Sequence, residues 1–353
     1  MKKTAKALMS IMLATLILTS SFISVSAQSM TNTMEPLSEV SEEMQNAVPQ
    51  ETQTVNEEQL EETVEPQQAE PVGAEAEEAV GEDFTTSNGI NYTVDNYTHE
   101  ATITGYVGSA SSITFPASID GYTVKKIGYQ AFMDNKTLKN VTISSGILVI
   151  KGAAFCRCVN LQSISIPDSV TSIEGSAFSG CSSLKNIRIP QKLETIENDI
   201  FRGSGLKSIT IPNNVKTVDF NAFLDCENLV TVSIGSGVES MGSNVFSQCA
   251  NLLTVSFASN NRLKKIGQHA FSLCSSLTGI SIPNTVTEIG DNAFYKCTNL
   301  MSITIPNGVT KIGGSAFSEC QSLKSVAIGS SVEEIGYFAF SQTGLNLLLY
   351  LIV

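Results

Sequence analysis

The stretch Leu277–Cys297, LTGISIPNTVTEIGDNAFYKC, decides the fold, because variants of it recur at nearly constant spacing along the chain. Aligning on its Ala-Phe pair places phenylalanines at Phe132, Phe155, Phe178, Phe201, Phe223, Phe246, Phe271, Phe294, Phe317 and Phe340, at intervals of 23, 23, 23, 22, 23, 25, 23, 23 and 23 residues. A fixed period of this size is the signature of a solenoid. One coil cannot bury its own apolar side chains, so neighbours must stack above and below it. The expectation is a mainly β solenoid of about ten 23-residue coils with parallel β ladders.

Each regular coil predicts three parts. The first is a strand such as Ile164-Ser165-Ile166 or Ile303-Thr304-Ile305, in which alternation sends the isoleucines inward and the hydroxyl residue outward. Proline ends it at Pro167, Pro190, Pro212, Pro283 and Pro306, since proline has no amide hydrogen for a ladder. A second, shorter extended piece follows, such as Val286–Ile289, closed by Gly290, Gly313 or Gly336 in the later coils. The Ala-Phe-x-x-Cys stretch then reads as a turn, expected to hold a single turn of helix, with Phe filling the coil interior. Two breaks interrupt the period. Phe201–Leu206 is one residue short, and Ala258–Arg262 carries two extra residues expected to project from the stack.

Before the repeats, Gly89–Val94 and Ala101–Tyr106 read as two strands around a polar turn, a hairpin cap of the kind repeat arrays need. An irregular first coil follows, with Ile113–Pro116 in the strand slot and Ile119 and Val124–Gly128 in the next. Upstream, residues 1–27 combine Lys2, Lys3 and Lys6 with a short apolar run and Val25-Ser26-Ala27, the order of a cleaved secretory signal peptide. Residues 28–83 hold 16 of the 34 acidic residues, four of the ten prolines and no Lys or Arg. Such a composition predicts an acidic disordered linker, a self-repelling spacer. The repeat domain is then 84–353, with 84–127 as N-terminal cap and first irregular coil.

The charge arithmetic restricts partners. Removing the linker's 16 acids and the leader's three lysines leaves 18 acidic and 18 basic residues, so the net charge of −13 belongs to the linker. A neutral repeat body behind an acidic linker is a poor footprint for nucleic acid, which calls for clustered Lys and Arg, and for anionic membrane. No later stretch has the ~20 consecutive apolar residues of a membrane span. The apolar run Leu345–Val353 is too short to span and is a poor cap. It reads either as an edge for self-association or as the mark of a chain truncated relative to a longer parent, and truncation is the reading adopted, because an apolar edge invites aggregation.

Reactive chemistry is sparse. Seven of the eight cysteines, Cys158, Cys181, Cys226, Cys249, Cys274, Cys297 and Cys320, lie three residues after the repeat phenylalanine, in a slot filled elsewhere by Asn135, Ser204 and Thr343. That interchange predicts small side chains turned inward onto backbone groups. Stacked Cβ atoms about 4.8 Å apart are also farther than a disulfide's preferred ~3.8 Å, so reduced thiols are expected. Cys156 falls in a different slot and is expected to be the most accessible. His99 and His269 have no partner at metal-ligand spacing, and neither a G-x-S-x-G elbow nor a phosphate loop is present. No enzymatic activity, metal or cofactor is expected.

What remains is surface. The outward slot of the main strand is a hydroxyl ladder, as at Ser165, Thr210, Ser233, Ser256 and Thr304, whereas the second strand varies. Variation in a strict repeat marks positions free of the packing rule, and the candidate protein-binding residues are Asn260, Asn261, Arg262, Lys264, Lys265, Lys216, Glu239, Glu288 and Lys311.

The consensus carried by Leu277, Ile280, Ile282, Pro283, Val286, Ile289, Gly290, Ala293, Phe294 and Cys297 resembles that of the bacterial BspA-like leucine-rich-repeat surface proteins, over roughly Ile113 to Leu345. The resemblance implies a curved leucine-rich-repeat solenoid on a secreted or cell-surface protein that binds extracellular matrix, other host proteins or other bacteria. The apolar C-terminus and the lack of a recognisable anchor depart from that pattern. The expected function is thus a non-enzymatic protein-binding module, acting in adhesion to host extracellular or bacterial surface proteins. Two alternatives stay open: a structural or self-associating repeat spacer without a specific ligand, and the targeting region of a truncated secreted enzyme.

Overall fold

Strand alternation and the 23-residue period together fix the ladders seen in the computed structural model, which describes residues 82–345. The leader, nearly all of the acidic linker and the apolar run 346–353 lie outside the described residues. In the main ladder, Ser208–Ile211, Thr231–Ile234 and Thr254–Phe257 pair in parallel with Ile209, Val232 and Val255 in register. The same slot pairs Ser112–Phe115 with Asn140–Ile143 and Ser163–Ser165, and Ser302–Ile305 with Ser325–Ile328. Inward isoleucines are buried while Thr210 and Thr304 face out, as the alternation requires. The second ladder is shorter per coil: Lys265–Ile266, Glu288–Ile289, Lys311–Ile312 and Glu334–Ile335 stack in parallel.

The third side of each coil differs from the sequence expectation. Among the described residues there is no helix; the Ala-Phe segment is a chain of tight turns. In the coil of Phe294, the amides of Ala293, Tyr295 and Cys297 donate back to Gly290, Asn292 and Phe294 carbonyls within the coil. The intervening amides of Asn292, Phe294 and Lys296 donate forward to Gly314, Ala316 and Ser318 carbonyls of the next coil, at 2.9, 2.7 and 3.0 Å. Asn292 and Lys296 reach this geometry in the left-handed region, φ 53° and 56°. A helix would keep those amides within its own segment; the left-handed residues turn alternate amides outward, so the neighbouring coil can pair them. Position Phe−2 is left-handed in all ten coils and is filled by Asp199, Asn221, Asn244, His269 and Asn292 in five of them, types that tolerate this conformation. His269 thus has a backbone reason for its place.

The interior is a phenylalanine column. From Phe115 to Phe340 each ring stacks on the next with centroids 4.8 to 5.7 Å apart, as in Phe132–Phe155 (5.0 Å) and Phe294–Phe317 (5.1 Å). Parallel, near-coplanar rings at this spacing add to the burial term. Where the period shortens, Gly205 lies so close to the preceding coil that a Cβ there would stand 2.0 Å from the Ser182 carbonyl oxygen. That contact requires glycine.

At the N-terminus, β1 (Asp83–Thr85), β2 (Ile90–Asp95) and β3 (Glu100–Tyr106) form an antiparallel meander. Strand β3 then pairs in parallel with Tyr122–Ile127, so the hairpin extends the second ladder and adds Ile90, Tyr92, Val94 and Ile103 to the core. Asp95 caps the β2–β3 turn, its Oδ1 accepting from the Tyr97 and Thr98 amides. The longer loop of the first coil is a two-residue hairpin from Ser118–Ile119 into Tyr122–Ile127, with Asp120 and Gly121 both at positive φ (48° and 92°), as a primed turn demands.

Candidate interaction surface

The cysteine column is structural. Each repeat thiol donates across one coil boundary to the carbonyl of the preceding phenylalanine: Cys158 to Phe132 at 3.0 Å, Cys249 to Phe223 at 3.2 Å, Cys320 to Phe294 at 3.1 Å. The sequence expectation of a small group meeting backbone is met, with the partner one coil away. All eight cysteines are free, and Cys156 is the one not fully buried. Burial pushes Cys226 up to about 11 and Cys158 and Cys320 up to about 12, so these groups stay protonated donors and poor nucleophiles. Cys156 is also raised, again by burial. His99 packs against Tyr122 with ring centroids 4.6 Å apart, and burial lowers the pKa of His269. Among the described residues, no group of three or more His, Cys, Asp or Glu side chains is placed to hold a metal ion.

The charged residues singled out on the second ladder are held by neighbours. Lys216 contacts Glu194 at 2.8 Å, Arg262 contacts Glu239 at 3.4 Å, Lys265 contacts Glu288 at 2.8 Å and Lys311 contacts Glu334 at 2.9 Å. Glu194 and Glu334 accordingly raise the pKa of Lys216 and Lys311. In the Ala258–Arg262 insertion only part projects. Ser259, Asn260 and Arg262 are exposed, but Asn261 is 5% exposed and turned inward. Its Nδ2 donates to the Gly235 carbonyl at 2.9 Å and its Oδ1 accepts from the Leu263 amide at 2.8 Å, which fastens the insertion to the preceding coil. Lys264 is exposed and its side chain has no ion pair among the described residues.

With this geometry in place, comparison with known proteins is decisive at the family level. The profile of the BspA type leucine rich repeat region matches in six copies over residues 106–230, 149–264 and 251–349. The chain belongs to the BspA-type leucine-rich-repeat family. A crystal structure of a leucine-rich repeat protein from Bacteroides ovatus is similar at 27% identity and a TM-score of 0.55, over 74% of this chain and 80% of that one. The leucine-rich repeat protein of T. pallidum is 30% identical with a TM-score of 0.50, over 55% of this chain and 90% of that one. Comparison with curated protein sequences finds no match. No helix among the described residues is long and apolar enough to cross a membrane.

In this BspA-type solenoid the main-ladder face contrasts with the second. The position after each repeat leucine forms a row at the strand edge, in which Val230, Leu253 and Met301 are 40%, 47% and 60% exposed. Lys185 and Lys207 precede these three and Lys324 follows, all exposed and without an ion pair among the described residues. Two shallow depressions open on this face. One is lined by Lys207, Asn228, Val230, Asn251, Leu253 and Ser276; the other surrounds Gly279, where a Cβ would meet nothing within 4 Å. Attention to strand interiors passes over this row, because its slot lies just before the alternating pattern begins. The available signal was Val230, Leu253 and Met301 in a slot that Lys139, Lys185, Lys207 and Lys324 hold in other coils.

Proposed function

We propose that this chain is a non-enzymatic protein-binding module, exported through a cleaved leader (1–27), carried on an acidic spacer (28–83), and acting in adhesion to host extracellular or bacterial surface protein through its repeat domain (84–353). The observation that carries this reading is the contrast between inward and outward slots. Phenylalanine and alanine recur coil after coil inside, while one outward slot runs Lys207, Val230, Leu253, Thr278, Met301 and Lys324. A solenoid with a fixed interior and a variable surface is a scaffold for recognition. On the second ladder, Asn260 and Lys264 offer free groups, whereas Lys216, Glu239, Arg262, Lys265, Glu288 and Lys311 would exchange an intramolecular partner for an intermolecular one. A pull-down of purified residues 88–344 against extracellular-matrix and bacterial-surface proteins tests the reading. A saturable partner, weakened by replacing Lys264 and Lys265 or Asn260–Arg262, is the expected result. Folded, monodisperse protein that retains nothing across the panel would favour the other reading supported by an observation, a structural spacer whose coils are laced by cross-coil ion pairs.

A further inference from the structure

Outward positions of the main ladder are poor in carboxylates. At the strand edge and along the outward strand slots there is none, and Asp168, at a strand's end, is bound by Arg188 at 2.9 Å. The cations Lys185, Lys207 and Lys324 are exposed and make no ion pair among the described residues, and they stand on either side of the exposed Val230, Leu253 and Met301. From Lys207 to Lys324 is five coil steps, about 24 Å at ~4.8 Å per step, a span crossed by about seven or eight extended residues. The depression beside Val230 and Leu253 opens between these two groups of charges. Apolar side chains in a shallow recess with cations at the rim are the arrangement in which burial anchors a partner and charge orients it.

We propose that the main-ladder face from Lys185 to Lys324 docks an extended polypeptide segment that is apolar at its centre and acidic on both sides. This adds a surface and a partner class to the protein-binding reading and uses none of the second-ladder residues. An acidic polysaccharide would satisfy the lysines and leave Leu253 and Met301 uncovered, so a polypeptide is the better complement.

The test is a selection of displayed random peptides of about twelve residues, enough to cross the span, on the full chain, followed by affinity measurements on the enriched peptide. Enrichment of Asp and Glu flanking Leu, Ile or Phe is expected. Lys185→Glu with Lys207→Glu, and separately Leu253→Ser, should each weaken binding about tenfold or more, while Lys192→Glu, at an exposed position between the two ladders, should leave it unchanged. All substituted side chains are exposed, and an unfolding midpoint equal to the parent's is required of each variant, so lost folding cannot imitate lost binding. Enrichment of basic or uncharged peptides, no enrichment, or equal weakening by Lys192→Glu overturns the proposal. So does capture by a sulfated polysaccharide that is as strong for Leu253→Ser as for the parent. A pull-down partner held as tightly by Lys207→Glu and by Leu253→Ser as by the parent would overturn this proposal and leave the protein-binding reading standing.

Discussion

Replacing Phe223 by alanine should open the middle of the stack. The Phe223 ring is fully buried and stacks on Phe201 at 5.4 Å and Phe246 at 5.2 Å. A buried aromatic covers about 150–250 Å² and is worth at most about 4–6 kcal/mol at ~25 cal/mol/Å². Alanine keeps the Cβ and the coil relaxes in part, which brings the expected cost to about 3–5 kcal/mol. Phe340 provides the internal comparison, since among the described residues its ring stacks only on Phe317, at 5.2 Å, and it is partly buried. Phe340→Ala should cost about half as much or less. Because coil stacks behave as chains of nearest-neighbour interfaces, hydrogen exchange should report local opening. In Phe223→Ala the amides of Phe201 and Phe223, which donate to Ala222 and Val245 carbonyls, should lose protection while the coils of Phe132 and Phe317 keep theirs. Equal costs at the two sites, or protection lost evenly along the stack, would refute a nearest-neighbour account.

Asn261→Ala leaves the Gly235 carbonyl and the Leu263 amide without partners and should destabilise by about 1–3 kcal/mol in urea melts, whereas exposed Asn260→Ala should be near neutral. Gly205→Ala, with a Cβ 2.0 Å from a backbone oxygen, should be among the most damaging alanine substitutions in the chain, read as a lowered melting temperature. The buried thiols make stability fall at alkaline pH. Their folded pKa values are raised from 9.0 to about 11–12 at Cys226, Cys158 and Cys320, so the unfolded chain ionises first, and stability complete below pH 9 is lost between pH 9 and about 12. Near pH 10 the loss is about 1.4 kcal/mol for each such thiol, and urea midpoints from neutral to alkaline pH, with and without Cys→Ser at these sites, check it. Native iodoacetamide labelling should mark Cys156 first, because the seven ladder thiols are buried donors.

The ladders and the aromatic interior were legible because each rests on a residue type that does one thing: Phe fills, Pro ends a strand, and alternation assigns faces. The third side was not, and its failure is physical. A short Ala-Phe run between polar residues is compatible with one helical turn by propensity. The preference that decides it is a left-handed residue two positions before each phenylalanine and another two after. Asn221, Asn244 and Asn292 display that preference, but Ala153 and Phe338 adopt the same conformation without advertising it. In the first of these the Ala153 amide is taken by the Gly175 carbonyl of the next coil, and in the second the Tyr337, Ala339 and Ser341 carbonyls accept from the coil before; the backbone is selected by neighbours, and no single coil's sequence contains them.

The ion pairs on the candidate surface were hidden for the same reason. Variation along the second strand reads as freedom when each coil is considered alone. Taken across the period, Glu288 and Lys311 are 23 residues apart, as are Lys311 and Glu334, and Glu194 and Lys216 are 22 apart. In a parallel ladder an offset of one period is a direct cross-strand neighbour, and the structure pairs Glu194 with Lys216 and Lys311 with Glu334. Opposite charges one period apart therefore signal self-neutralisation, while a lysine such as Lys207 with Lys185 and Val230 as its one-period neighbours signals a charge left for something outside the coil stack. That rule adds to the second ladder, where most of the charges are paired, a second place to look for a binding face: the main-ladder edge, where Lys185, Lys207 and Lys324 have no ion pair among the described residues.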